Sequence, residues 1–164
     1  MYKIGDFVLN TNNGICEIKD VVSMNLSGSS KDYYLLIPVE EKTAKVYIPV
    51  DNAAHRIRYI MSEEEVWTLI HGIKDIPEVY IENEKEREKT YKEALSSKDP
   101  TQLISIIKTL YLRKQQRLEA GKKNTAVDER YFKLAENYLH AEISFVLKVE
   151  KTEVHKILVE HITK

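Results

Sequence analysis

The spacing of apolar residues changes character near residue 60. Before that point, short apolar and β-branched runs alternate with turn residues, as in half-buried strands. Phe7-Val8-Leu9 stops at Asn10-Thr11-Asn12-Asn13-Gly14, where Asn-Gly signals a tight turn. Residues 15–22 predict a second strand, closed by the small-residue loop Leu26-Ser27-Gly28-Ser29-Ser30. Residues 33–39 and 44–50 predict two more, joined by the charged turn Glu40-Glu41-Lys42. Strands this short cannot build a large sandwich, and closure into a small, strongly curved barrel is the expectation.

Beyond residue 60 the period becomes helical. Ser62-x-x-Glu65 reads as a capping box opening a short helix that ends at His71-Gly72. Residues 78–95 predict a highly charged helix with little core contact. Asp99-Pro100 supplies an N-cap followed by proline at the first helical position. Leu103, Ile106, Ile107, Leu110 and Tyr111 then form one apolar stripe. A longer helix carries Tyr131, Leu134, Ala135, Tyr138, Leu139, Ile143 and Val146, and a final one carries Val154, Ile157, Leu158 and Ile162. Such stripes bury one another, so the second half reads as a helical bundle. The expected fold class is α+β: a small β-barrel over residues 1–59, then an all-α bundle over residues 60–164, with 60–77 as a linker helix region.

The 164 residues carry 25 Lys/Arg and 26 Asp/Glu, so a generally basic, histone-like binder is excluded. Charge is nevertheless uneven. Residues 61–100 hold 6 basic and 11 acidic side chains, whereas residues 101–130 hold 7 and 3. The basic group comprises Lys108, Arg113, Lys114, Arg117, Lys122, Lys123 and Arg130. For an arbitrary protein a solvated helix face is the default reading of such a group. No apolar run approaches the roughly 20 residues that span a bilayer. The opening Met1-Tyr2-Lys3-Ile4-Gly5-Asp6 lacks the apolar stretch of a secretory signal, and the single cysteine, Cys16, cannot form an internal disulfide. A cytoplasmic protein is expected.

Catalytic chemistry finds no support. The five glycines are scattered, so no phosphate cradle or dinucleotide fingerprint exists. His55, His71, His140, His155 and His161 show no metal-ligand spacing. Cys16 lies in a predicted strand and reads as a small buried hydrophobe. Glu82, Glu84, Glu86 and Glu88 alternate with Lys85, Arg87 and Lys89, as on a solvated helix laced with ion pairs. The expectation is a protein that is not an enzyme and has no cofactor or metal.

Several segments, in their order and spacing, carry a resemblance. Ile4-Gly5-Asp6-Phe7-Val8 with Asn13-Gly14-Ile15-Cys16, Tyr33-Tyr34-Leu35-Leu36, Val46-Tyr47-Ile48-Pro49-Val50-Asp51-Asn52 and Arg56-Ile57-Arg58 fall in the first half. Ser97-Lys98-Asp99, Leu110-Tyr111-Leu112-Arg113-Lys114 and Ala135-x-x-x-Leu139-x-x-Glu142-Ile143-Ser144 fall in the second. Together they make the chain resemble the CarD family of bacterial transcription regulators over nearly its full length. The resemblance implies a Tudor- or SH3-like N-terminal module that binds the RNA polymerase β subunit, similar to a module of transcription-repair coupling factor. It implies a helical domain that contacts promoter DNA at the upstream edge of the bubble and shifts open-complex stability. It implies no catalytic residue and no cofactor.

An exposed edge strand is a ready template for pairing with another sheet. Residues 44–49 are the candidate edge, because Pro49 lacks an N–H and belongs at a strand end or edge. Val46, Tyr47 and Ile48 would supply contacts, and alternation predicts that one face fills the barrel while the other does not. Met24 and Tyr47 stand where family members use basic residues near the polymerase. For DNA, Lys85, Arg87 and Lys89 lie in the segment where the family carries contacts, and Lys122, Lys123 and Arg130 near its second basic patch. Family members place a wedge tryptophan shortly before that first arginine. Here the only tryptophan, Trp67, belongs to the preceding helix with a core role, and Tyr80 is the nearest aromatic ahead of Arg87. DNA binding should be weak, largely non-specific and salt-sensitive. The alternative is a protein-interaction adaptor that uses the barrel with little or no DNA binding. A monomer is expected, and strand exchange offers a route to a domain-swapped dimer.

Overall fold

The computed structural model describes residues 1–164 and divides into two compact units, Met1–Ile60 and Met61–Lys164. The first unit is a five-stranded antiparallel sheet: β1 Phe7–Asn10, β2 Gly14–Leu26, β3 Ser29–Pro38, β4 Val46–Pro49 and β5 Ile57–Tyr59. The strand order is β4-β3-β2-β1-β5. The sheet is open, which corrects the expected closed barrel. β4 and β5 have only four and three residues, and the chain between them, Val50–His55, is a 3-10 turn that offers no strand edge. No ladder joins the two outer strands, so both remain edges.

β2 and β3 form a longer hairpin than the sequence pattern predicts. The small-residue stretch is not a loop but a two-residue turn, Ser27-Gly28, with φ of 56° and 81°. Positive φ at both positions is what a type I′ hairpin turn demands, and glycine tolerates it. Pairing therefore runs out to Leu26 and Ser29. Lys19 is an extra residue between the pairs Ile18↔Leu36 and Asp20↔Leu35, a bulge that bends β2. One face of the sheet buries Val8, Cys16, Ile18, Tyr34, Leu36, Ile48 and Ile57, with Ala53 packed against them. Burial pushes the Cys16 thiol up to about 11, the behaviour of a packed hydrophobe.

The second unit holds five helices: α1 Glu63–His71, α2 Arg87–Ser96, α3 Pro100–Glu119, α4 Ala126–Leu147 and α5 Lys151–Thr163. The capping box forms as read: Glu65 N–H donates to Ser62 Oγ and Ser62 N–H to Glu65 Oε1, both at 3.1 Å. Asp99 caps α3 by accepting from Gln102 N–H at 3.1 Å, and Thr125 caps α4 by accepting from Asp128 N–H at 3.0 Å. The helices enclose a core in which Ile70, Ile73, Leu103, Ile106, Leu139, Ile143 and Leu158 are fully or almost fully buried. Each such side chain contributes about 1.5–3 kcal/mol by leaving water. Trp67 packs against this core and stacks on His71 at 5.7 Å between centroids.

Three expectations for this half change. The charged helix starts at Arg87, after a 3-10 turn at Glu84–Glu86, and not at residue 78. Tertiary hydrogen bonds hold the preceding segment extended: Ser105 Oγ donates to the Pro77 carbonyl at 2.7 Å, and Val79 N–H donates to Thr109 Oγ1 at 2.7 Å. The helix is also anchored, because Tyr91 and Leu95 are buried in the core. On α4, Leu134 points outward and does not share the buried stripe.

Candidate functional site

The strand proposed for polymerase docking is a true sheet edge, narrower than the pattern predicts. Ala44 lies outside it, in the turn that its N–H closes onto the Glu41 carbonyl. Register decides what each side chain of β4 does, since directly opposed residues share a face and successive residues alternate. Val46 opposes Leu36 and Ile48 opposes Tyr34, both pairs on the buried face. Ile48 is 4% exposed, so its side chain belongs to the core and not to a docking surface. Val46 packs half-buried against the same core.

Tyr47 opposes Leu35 and Pro49 opposes Tyr33 on the outer face. The same face continues onto β2, where Val22 opposes Tyr33 and Met24 opposes Lys31. Tyr47 is 41% exposed, and Tyr33, Leu35, Val22 and Met24 are half-buried. Met24, Tyr47 and Pro49 thus belong to one outward, mainly apolar and aromatic surface at the open edge. Val46 and Ile48 do not.

Several basic residues of the helical unit lie where α2 starts, in the C-terminal half of α3 and where α4 starts. A chain of hydrogen bonds ties these segments together. Arg87 Nη1 donates to Tyr91 Oη at 2.7 Å, Tyr91 Oη to Asp128 Oδ1 at 3.2 Å, and Arg113 Nε to Asp128 Oδ2 at 2.6 Å. Arg130 reaches back from α4 to Glu88 on α2, and Tyr131 donates to the same carboxylate at 3.0 Å. Arg87, Arg113 and Arg130 are therefore brought together, each already paired with a carboxylate. Arg87 also clamps Glu84 with two hydrogen bonds, at 2.8 and 2.6 Å. That clamp, above all its hydrogen bonds, holds the Glu84 carboxyl below the ordinary range. The Tyr131 hydroxyl does the same for Glu88, with Lys92 and Arg130 adding to it. Lys108, grouped with the basic residues by sequence, donates to the carbonyls of Ile73, Lys74 and Ile76 at 2.9–3.0 Å and so caps a turn.

Free positive charge remains elsewhere. Lys122 and Lys123 are exposed in the turn between α3 and α4, and neither ammonium pairs with a carboxylate. Arg117 shapes that turn by donating to the Lys123 carbonyl at 2.8 Å. Lys85 is exposed in the turn before α2, and Lys89 lies 3.9 Å from Glu86. Tyr80 is 80% exposed, but its hollow is lined by Glu82, Glu84, Glu86 and Glu93 with Lys89 as the only cation. That surface repels phosphate more than it attracts it.

A further cluster escapes sequence reading. Glu136 and His140 lie one turn apart on α4, and His155 of α5 comes to meet them, with all three ligand atoms within 4.8 Å of one another. Helical i, i+4 spacing marks the first pair, whereas the third member depends on how α5 packs.

A family model described as the CarD-like/TRCF RID domain matches residues 2–61, and one described as CarD, C-terminal domain, matches residues 68–159. No curated protein matches the chain. No helix is long and apolar enough to cross a membrane. With both halves matched in order, the chain belongs to the CarD family of RNA polymerase-interacting transcription factors.

Proposed function

We propose that this protein binds the RNA polymerase β subunit through the outer face and free edge of β4, contacts promoter DNA near the upstream edge of the bubble through its helical unit, and thereby shifts open-complex stability. The observation that carries the reading is the unpaired edge of β4 beside outward-facing Tyr47, in a domain of an RNA polymerase-interacting family. The edge backbone offers hydrogen bonds to a partner strand, and Tyr47, Pro49 and Met24 offer apolar and aromatic contact beside it. Ile48 acts from within by holding the strand in place.

For DNA, Lys122 and Lys123 carry the main attraction because no carboxylate offsets them. Lys85 and Lys89 add to it weakly. Arg87 and Arg130 contribute less, since Glu84 and Glu88 already neutralise them. Tyr80 is placed to meet a nucleic-acid base only if the carboxylates around it are held off by salt or by the polymerase. That acidic surround favours a second reading, an adaptor that grips the polymerase and leaves DNA largely untouched.

A promoter-opening assay with a fluorescent reporter in the bubble separates these readings. Added to polymerase from its own source, the full chain should alter open-complex lifetime, and Lys122→Glu with Lys123→Glu should remove most of that effect. An unaltered lifetime at saturating protein contradicts the proposal. A lifetime change that ignores the lysine variant supports the adaptor reading instead.

A further inference from the structure

Within the helical unit, His140 poses a physical problem. The residue is 7% exposed, and its Nε2 atom is buried without a hydrogen-bond partner. A buried polar nitrogen left unsatisfied costs about 1–3 kcal/mol, so such atoms in folded proteins usually have an unseen partner. Glu136 Oε2 lies 3.6 Å from His140 Nε2, too far for a hydrogen bond. His155 Nδ1 lies 2.8 Å from the same carboxylate oxygen.

The ligand atoms of two imidazoles and one carboxylate thus lie within 4.8 Å of one another, and that donor set is characteristic of zinc and its first-row neighbours. In a tetrahedral site with bonds near 2.0–2.1 Å, ligand atoms sit roughly 3.4 Å apart. The His140–Glu136 separation of 3.6 Å already fits, and the 2.8 Å between His155 and Glu136 needs to open by about half an ångström. The two histidine nitrogens lie within 4.8 Å of each other, so that edge closes by at most about 1.4 Å. His155 and Glu136 both have partly exposed side chains, so an ion has a path in, and water can complete the coordination. We propose that Glu136, His140 and His155 form a binding site for one divalent transition-metal ion of the zinc class, joining α4 to α5.

The protonation chemistry is compatible. An ionised Glu136 only accepts, so in the metal-free protein His155 Nδ1 carries the hydrogen of their bond. Metal binding moves that hydrogen to the half-exposed far side of the ring, as the other tautomer. Burial lowers the pKa of His140, which keeps its ring neutral and able to ligate. Lys151, in the first turn of α5, acts against added positive charge here and limits the affinity.

The test uses the full chain without a histidine tag, stripped with chelator, and titrated calorimetrically with zinc or cobalt(II) chloride. One equivalent should bind, the thermal midpoint should rise, and cobalt(II) should give the visible absorption of a low-coordinate site. His155→Ala and Glu136→Gln, both at partly exposed side chains, should each weaken binding about a hundredfold or more, while His55→Ala leaves it intact. Magnesium should not bind, because it prefers all-oxygen sites. Absence of binding by the stripped wild type, unchanged binding in both ligand variants, or equal affinity for magnesium would each overturn the proposal.

Discussion

Arg113 on α3 and Asp128 on α4 form an ion pair of 2.6 Å, in which the aspartate is almost wholly buried and the arginine three-quarters buried. Tyr91 on α2 donates to the same carboxylate, so three helices meet at one buried charge. The arrangement explains why a basic residue in the helical stretch need not serve DNA.

Removing the arginine leaves that charge uncompensated. Arg113→Met should destabilise the helical unit by about 3 kcal/mol, near the low end for broken buried pairs because Arg113 is partly solvated. Adding Asp128→Asn should recover part of the loss, since the orphaned charge goes with it. Chemical denaturation of the single and double variants measures both. Equal losses in the two would show that the pair contributes little beyond packing.

Cys16 offers a test of the sheet's integrity. With its thiol pushed up to about 11, roughly one molecule in a thousand is thiolate at pH 8, and the side chain is fully buried besides. Alkylation should therefore be very slow in the native protein and fast in denaturant, and native labelling should rise about tenfold per pH unit above pH 8, levelling off only near pH 11. Rapid native labelling at pH 8 would mean that β2 opens locally.

The salt dependence of DNA binding separates free charge from paired charge. Lys122→Gln with Lys123→Gln should flatten the log–log salt slope by about 2, whereas Arg130→Gln should change it by less than about 1. Binding to a duplex carrying a melted bubble at several salt concentrations provides the comparison. An arginine effect as large as that of the lysines would mean that Glu88 releases Arg130 on binding.

Much of this molecule is legible from local pattern. Ser62 with Glu65, Asp99 with Pro100, and the stripe through Leu103, Ile106 and Leu110 depend on neighbours within one or two turns, and all appear as read. What was not legible depends on distant partners. The charged pattern carries the expected helix back to residue 78, yet Ser105 and Thr109 of α3 hydrogen-bond the backbone of Pro77 and Val79. The turn at Ser27-Gly28 looks like a loop by composition, because its two positive φ values leave no mark beyond one glycine. Ile48 and Tyr47 are equally plausible contacts in sequence, and only the register with β3 assigns one inward and one outward. For the same reason the family resemblance located the two domains but not which cations are free, since Glu84 and Glu88 lie beside Arg87 in sequence while Arg130 arrives from α4.

The division of roles along β4 gives the most direct test. The full chain and two variants are measured against the isolated β-subunit lobe of the polymerase, with thermal unfolding recorded in parallel. Wild type should bind; Tyr47→Glu should bind about tenfold more weakly or worse with an unchanged midpoint, a loss of about 1.4 kcal/mol or more. Ile48→Ser should instead lower the midpoint of the sheet unit, because it places a hydroxyl in the core. Wild type that fails to bind the lobe, or Tyr47→Glu that binds it as well as wild type, would contradict docking through this edge.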